Sequence, residues 1–114
     1  MQSKFFRQQE MIFAKHPRFD NVRIATFVTG ADTKAASVCL LDIAAGTEIP
    51  VHTHDPQVDS IFVVEGNGEA FVNGKWERIT AGDYIFVPAV DEHGIKNTGS
   101  GPLKLFVHHS PPLL

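Results

Sequence analysis

Residues 59 to 87 read DSIFVVEGNGEAFVNGKWERITAGDYIFV. Short runs of Val, Ile and Phe alternate here with Gly and Asn, which is typical of β-strands joined by tight turns. Asn73-Gly74 is the dipeptide expected at a two-residue hairpin, because both positions of a type I′ turn need a positive φ. The stretch therefore predicts consecutive antiparallel strands, and it guides the interpretation of the rest of the chain.

The same pattern extends in both directions from this stretch. The predicted strands are 22–28, 36–43, 59–65, 69–72, 76–79, 83–87 and 103–109. Glycines lie in the turns between these strands. Prolines lie at the strand ends, where no backbone N–H is needed for hydrogen bonds to a neighbouring strand. Many short strands with almost no helical periodicity predict an all-β fold, either an antiparallel barrel or a sandwich.

Composition and charge limit the classes of function. Of the 114 residues 43% are hydrophobic, which suits one domain with one core. Ten Lys and Arg residues stand against thirteen Asp and Glu residues, for a formal net charge of -3. Without a basic patch we expect small-molecule partners and no nucleic acid. Because no apolar stretch is long enough for a signal peptide or a membrane span, we expect a cytoplasmic protein that does not bind membranes.

The N-terminal residues 1–20 do not follow the strand pattern. Phenylalanine and aliphatic residues surround the polar run RQQE and fit neither a helical nor a strand period. This apolar surface needs to be buried, either on the outside of the barrel or against a partner subunit, since large exposed apolar patches are uncommon on monomers. We therefore divide the chain into an N-terminal arm, residues 1–20, and a barrel domain, residues 21–114, and we expect a homodimer.

Two histidines separated by one residue lie in the segment PVHTHDPQVD, residues 50–59. In an extended strand, side chains at i and i+2 point to the same face, so His52 and His54 would present two imidazoles side by side. The pair alone is a weak indication of a metal site, because it also arises by chance. Its context strengthens it, since Asp59 follows at the start of an apolar strand and a third histidine, His93, begins another short strand.

The segment 46–66 resembles the first motif of the cupin superfamily, G-x5-H-x-H-x4-acid-x6-G. The segment 82–97 resembles the second motif, G-x5-P-x-G-x2-H-x3-N. Two positions depart from the pattern, because Asp59 stands where the family usually has glutamate and Val90 replaces a glycine. The resemblance implies a small single-domain cupin of the cupin 2 conserved barrel type, with an antiparallel double-stranded β-helix or jelly-roll barrel.

Carried over residue by residue, the resemblance implies one divalent metal ion held by His52, His54, Asp59 and His93. Histidine and carboxylate ligands suit iron, manganese, nickel, zinc or copper, and the sequence does not distinguish among them. Aspartate is one methylene shorter than glutamate, a loss of about 1.5 Å of reach. Two arrangements are therefore open. Either the backbone at Asp59 lies closer to the ion and the carboxylate is a ligand, or the three histidines alone bind the ion and Asp59 orients a water molecule or one of the ligand histidines.

Other residues are candidates for the pocket around this site. Gln57 is close enough in sequence to contribute an oxygen, and alternation from Asp59 puts Ile61 and Val63 on the cavity side. The same alternation in the last strand turns His109 inward, as a candidate catalytic general acid or base or as a polar residue at the barrel rim. Such apolar walls favour a small, partly apolar ligand.

Three interpretations of the function follow. The first is a mononuclear metalloenzyme acting on a small organic acid, sugar or other chelating metabolite, as a dioxygenase, isomerase, decarboxylase or lyase. The fold alone does not select the reaction, because one fold hosts many. The second is a non-catalytic module that binds a small ligand. The third, in which the histidines are rim residues of a structural barrel, is disfavoured because three histidines and an acid stand at matching offsets from the turn residues.

Overall fold

The turn residues of the chain separate ten strands in the computed structural model, which describes residues 2–114. The strands are β1 Ala14–Lys15, β2 Val22–Val28, β3 Ser37–Ile43, β4 Glu48–His52, β5 Val58–Glu65, β6 Asn67–Val72, β7 Lys75–Thr80, β8 Tyr84–Val87, β9 His93–Lys96 and β10 Leu103–Ser110. All seven predicted strands are present, with their ends shifted by two residues at most. One 3-10 turn, Gln8–Glu10, precedes them, and no helix within residues 2–114 is long and apolar enough to cross a membrane.

The strands form two antiparallel sheets with the core between them. The six-stranded sheet has the order β1-β2-β3-β10-β5-β8, and the four-stranded sheet has the order β4-β9-β6-β7. The chain therefore passes repeatedly from one sheet to the other, as it does in a jelly roll. The predicted all-β jelly-roll barrel is confirmed.

Alternation along each strand puts one face of each sheet into the core. In β10, His109 faces inward as predicted and shares this face with the buried Leu105 and Val107, whereas Phe106 is exposed. Burial raises the pKa of the Cys39 thiol to about 12, so this residue belongs to the packing. The core cluster is otherwise aliphatic and consists of Val22, Ile24, Ile43, Ile49, Ile61, Val63, Ala70, Ile79, Val87, Ile95, Leu103, Leu105 and Val107.

Residues before β2 contact the outer side of the six-stranded sheet. Lys4 Nζ forms an ion pair with Asp32 at 2.7 Å, and the ring of Phe6 meets that of Phe27 edge to face at 5.1 Å. β1 pairs with β2 over two residues, which is too short a match for the sequence pattern to indicate a strand. Met1, the first residue of the predicted arm, lies outside the described residues.

Two tight turns show how closely the backbone is packed around the barrel. The hairpin between β6 and β7 forms as predicted, with positive φ at Asn73 and Gly74. Gly66, in the turn between β5 and β6, has a φ of +95°, and a Cβ there would lie 2.3 Å from the carbonyl oxygen of Pro102. The segment leading into β10 therefore requires glycine at this position.

We expect Gly66→Ala to lower the free energy of unfolding by about 3 kcal/mol or more, because it adds a backbone clash to left-handed strain. Gly46→Ala is the matched control, since Gly46 also has a positive φ, +76°, but a Cβ there meets nothing within 4 Å. Its cost should be about 1–2 kcal/mol. Urea denaturation followed by circular dichroism measures both losses. Equal losses would contradict the clash with Pro102.

Candidate metal centre

Strand register brings two pairs of polar side chains together at one end of the barrel. In the four-stranded sheet, His52 at the end of β4 is the cross-strand partner of His93 at the start of β9. In the six-stranded sheet, Asp59 on β5 is the partner of His109 on β10. Directly opposite residues of an antiparallel pair have Cβ atoms about 4.5–5.5 Å apart, so the members of each pair are neighbours. The two pairs meet across the interior.

His54 follows β4 and lies between these pairs. Its ring centroid is 4.8–5.3 Å from the centroids of His52, His93 and His109. The Oδ2 atom of Asp59 lies 3.2 Å from His93 Nε2 and 3.4 Å from His109 Nε2. The distance from the same oxygen to His54 Nε2 is 3.8 Å. Three imidazole nitrogens therefore surround one carboxylate oxygen.

Three of these residues are buried and have polar atoms that lack a hydrogen-bond partner among residues 2–114. Asp59 and His93 are each 4% exposed, and His109 is 6% exposed. The unpartnered atoms are Asp59 Oδ1, His93 Nε2 and His109 Nδ1. Buried polar atoms in proteins are nearly always satisfied, so each exception needs a physical reason. A cation held among these residues would supply one.

Backbone carbonyls orient two of the imidazoles. His52 Nδ1 donates to the carbonyl of Pro50 at 2.7 Å, and His93 Nδ1 donates to the carbonyl of Asp91 at 3.0 Å. A carbonyl only accepts, so each Nδ1 carries the hydrogen and each neutral ring directs an Nε2 lone pair into the site. His93 Nε2 then meets Asp59 Oδ2, a second acceptor. This contact is unfavourable unless a proton or a metal ion lies between the two atoms.

The local electrostatics favour an ionised carboxylate at Asp59 and neutral imidazoles at His52 and His54. Burial and the neighbouring rings of His52 and His93 lower the pKa of His54 to about 4, and burial also lowers the pKa of His52. Burial raises the pKa of Asp59, but its contacts with His109 and His93 outweigh this effect and hold the pKa below the usual range of a carboxyl. Burial lowers the pKa of His93, but its contacts with Asp59 and Asp91 together outweigh this effect and raise the pKa above that of a free imidazole. Deprotonated imidazole and carboxylate groups are the forms that bind metal ions.

The other predicted pocket residues lie beside this cluster. Ile61 and Val63 share the inward face of β5 with Asp59 and belong to the core. Gln57 donates its side-chain amide to the carbonyl of Pro112 at 3.2 Å, which engages its nitrogen with the C-terminal segment. Ile61 and Val63, the apolar part of the predicted pocket, therefore lie on the core side of the histidine cluster.

The valine at the predicted glycine position keeps the backbone shape of a glycine. Val90 has a φ of +64°, a left-handed conformation that β-branched residues rarely adopt. Its N–H donates to the carbonyl of His54 at 2.8 Å. This hydrogen bond joins the segment before His93 to the turn that holds His54.

Two aromatic residues near the cluster were not assigned to the site from the sequence. The ring of Phe19 lies 6.2 Å from that of His52 and 4.7 Å from that of His16, centroid to centroid. Both come from the segment before β2, which is distant in sequence from the histidine motifs. No local pattern marks them, because their position depends on how this segment runs along the barrel.

Residues 39–109 match the protein family described as the cupin domain. The chain belongs to the cupin family. A curated relative, the oxalate-binding protein of Thermotoga maritima, is 30% identical over 71 residues, which are 62% of this chain and 59% of that protein. The aligned stretches span less than three fifths of the length of the two curated relatives that the chain matches.

Solved structures share the fold of this cupin. A protein of Thermotoga maritima described as a predicted oxalate decarboxylase has a TM-score of 0.84 at 22% identity, over 95% of this chain and 99% of the other. An RmlC-like cupin from Shewanella frigidimarina has a TM-score of 0.81 at 21% identity, over 98% and 94% of the two chains. Similarity at this level of identity shows the fold, and a fold does not determine the reaction.

In the metal-free protein we expect the neutral ring of His52 to be the Nδ1–H tautomer, because the carbonyl of Pro50 accepts from Nδ1. Long-range proton–nitrogen NMR correlation of the imidazoles, recorded after chelator treatment, measures the tautomer. The spectrum of His52→Gln assigns the resonances. An Nε2–H tautomer at His52 would contradict the inward lone pair.

Proposed function

We propose that the protein is a metal-dependent cupin in which His52, His54, Asp59 and His93 hold one divalent ion that binds a small organic acid anion. The observation that carries this proposal is the unpartnered Nε2 of His93, buried and directed at Asp59. Two lone pairs facing each other inside a barrel need a positive charge between them. A divalent cation fits this need, and the set of imidazole and carboxylate donors suits it.

The spacing of the donor atoms supports a common ion. Adjacent ligands that each lie about 2.1 Å from one ion are separated by about 3.0–3.4 Å, depending on whether the geometry is octahedral or tetrahedral. His93 Nε2 and Asp59 Oδ2 are 3.2 Å apart. The donor atoms of His52, His54 and His93 lie within 4.8 Å of one another. Small side-chain movements would bring these donors to one ion.

The length of Asp59 is compatible with direct ligation. Its carboxylate is buried, and the nearest donor nitrogens surround its Oδ2 at 3.2–3.8 Å. Aspartate reaches about 1.5 Å less far than glutamate. The shorter side chain nevertheless lies on the inward face of β5, at the end of the barrel that holds the histidines. We therefore propose ligation by Asp59 itself, in preference to a three-histidine centre.

The chemistry of the site favours a small anionic ligand. A divalent ion would supply a Lewis acid for the oxygens of that ligand. Neutral imidazoles and one carboxylate leave a divalent centre with net positive charge, which attracts carboxylates. The buried Ile61 and Val63 beneath Asp59 exclude water from the inner side and restrict the ligand to one small enough to remain at the barrel mouth.

The names of the relatives support the same ligand class. The curated sequence from Thermotoga maritima is named an oxalate-binding protein, and the solved structure from the same organism is described as a predicted oxalate decarboxylase. Oxalate is the smallest dicarboxylate and chelates divalent ions through two oxygens. We propose a small mono- or dicarboxylate as the ligand of this chain, with oxalate as the first compound to examine.

A non-catalytic binding module is the second candidate, and the name of the oxalate-binding relative favours it. Incubating the metal-loaded protein with oxalate distinguishes the two functions. Consumption of oxalate above the rate with metal-free protein would indicate an enzyme. Saturable binding that depends on the metal, without consumption, would indicate a binding module.

We expect untagged protein purified without chelators to contain close to one equivalent of metal, and His52→Ala and His93→Ala to lose it, because each removes an imidazole donor. Mass spectrometry of the elements measures the content. His108→Ala is the matched control, since His108 neighbours a site histidine but faces outward from β10. A folded wild type that remains empty when offered iron, manganese, nickel, zinc and copper in turn would contradict the metal site.

We also propose that the chain forms a homodimer through the outer face of the six-stranded sheet. Five large apolar side chains lie there on β10, β5 and β8, each 43–57% exposed: Phe62, Val64, Tyr84, Phe86 and Phe106. An aromatic side chain offers about 200 Å² of surface, so the five together expose about 500 Å². That area is more than half of the roughly 800 Å² that each partner contributes to a standard interface.

A second copy of the chain is the occupant that this patch favours. Phe62 lies between Phe106 and Tyr84 in one row across three strands. Phe27 extends the row beyond Phe106, and Phe6 of the proposed arm, residues 1–20, packs on Phe27. An apolar row of this kind is self-complementary, as a two-fold interface requires. The barrel domain, residues 21–114, would then supply the central face of the dimer interface, and the arm would lie at the edge of that interface.

We expect Phe62→Glu to convert the dimer to a monomer, because it buries a charge at the centre of the interface. Analytical ultracentrifugation measures the mass. Ile12→Glu is the control, since Ile12 is 82% exposed on the N-terminal segment and lies outside the row. Dissociation by Ile12→Glu alone would assign the interface to the arm, and a monomeric wild type would contradict the dimer.

A further inference from the structure

We infer that His109 is an additional metal ligand, so that an Asp59–His109 pair from neighbouring strands takes the place of the single glutamate usual in the family. The inference rests on the proposed metal site and adds a donor from outside both histidine motifs. His109 comes from the last strand, β10, and is the cross-strand partner of Asp59.

The position of His109 relative to the carboxylate is the first support. Its Nε2 lies 3.4 Å from Asp59 Oδ2, between the distances found for His93, 3.2 Å, and His54, 3.8 Å. His109 is therefore related to Asp59 in the same way as two histidines of the motifs. Its side chain is 8% exposed, which is less than the 12% of His54.

The length of the contact is the second support. Charge-assisted hydrogen bonds between a nitrogen and a carboxylate oxygen are about 2.7–2.9 Å long. The separation of 3.4 Å between His109 and Asp59 is longer, and it lies within the roughly 3.0–3.6 Å expected between neighbouring ligands of a five-coordinate ion with bonds of about 2.1 Å. His109 Nδ1 has no hydrogen-bond partner among residues 2–114, so the polar contacts of the ring are made at Nε2.

Two overlapping donor groups describe the site. His52, His54 and His93 form one group, and His54, Asp59 and His109 form the other, with all donor atoms of each group within 4.8 Å of one another. The second group contains two buried residues and the only carboxylate among these five donors. Ligation by the shorter Asp59 would place the ion closer to β5 and its neighbour β10 than ligation by a glutamate would. His109 is then in reach.

The alternative role, proton transfer to a bound ligand, fits the geometry less well. A general acid or base has to direct its reactive nitrogen at the ligand. The Nε2 atom of His109 points at Asp59, and its buried Nδ1 has no hydrogen-bond partner among residues 2–114. Neither nitrogen is free to face a ligand that enters from the barrel mouth.

His109→Gln tests the inference in the full chain, because glutamine keeps an amide donor for Asp59 and removes the imidazole. The metal-stripped protein is loaded with one equivalent of Cu²⁺, and pulsed EPR counts the coordinated imidazoles. We expect one imidazole fewer than in wild type and an affinity for Cu²⁺ lower by about 100-fold in competition with a chromophoric chelator. His108→Gln, on the outward face of the same strand, should match wild type in both measurements.

Asp59→Glu in the His109→Gln background provides the reciprocal test. If the Asp–His pair replaces one glutamate, the longer carboxylate should restore at least 10-fold of the lost affinity without restoring the imidazole signal. His109→Ala, with folding checked by circular dichroism, serves if the glutamine variant does not fold.

The outcomes separate this inference from the proposed function. An unchanged imidazole count and affinity in His109→Gln, beside their loss in His93→Ala, would overturn the ligand role of His109 and leave the metal site standing. A folded wild type that binds neither Cu²⁺ nor any of iron, manganese, nickel and zinc would overturn both. Equal losses in His109→Gln and His108→Gln would overturn the ligand role as well, since they would show a general effect of altering β10.

Discussion

The register of two antiparallel strand pairs is the constraint on which the site depends. Pairing of β4 with β9 sets His52 opposite His93, and pairing of β5 with β10 sets Asp59 opposite His109. Because side chains alternate across a strand, a slip of one residue in either pair would turn a member of the cluster outward. The same slip would expose the apolar residues that alternate with solvent-facing ones, such as Val63. Packing of the core therefore also fixes the cluster.

A buried carboxylate imposes the second constraint. Moving an ionised carboxylate from water into a protein interior costs several kcal/mol unless positive charge or hydrogen bonds compensate it. Asp59 is 4% exposed, and its Oδ1 has no partner within residues 2–114. The imidazoles of His93 and His109 flank its other oxygen. Positive charge among these groups would satisfy the polar atoms at this end of the barrel, so occupancy of the proposed metal site would stabilise the fold.

Local sequence signals were sufficient for the strands and insufficient for the geometry of the site. Turn residues and period-two alternation predicted seven strands and the inward direction of His109, because both depend on adjacent residues. β4 was not predicted, since its sequence EIPVH contains a proline and only a short apolar run. The carbonyls that orient His52 and His93, and the contact of Asp59 with His109, depend on backbone course and on pairing between distant strands. A single sequence contains no local signal for either.

The two departures from the cupin motifs differ in their consequences. Val90 keeps the positive φ of the glycine it replaces, and the hydrogen bond from its N–H to the His54 carbonyl holds the loop in the conformation that the site needs. Asp59 would change the donor set of the proposed metal site, because its shorter side chain keeps the carboxylate near β5 and hence near His109. The effect of having aspartate at this motif position therefore depends on His109, which lies outside both motifs. Since a barrel with a TM-score of 0.84 is shared at 22% identity, the fold alone does not fix the residues of the site.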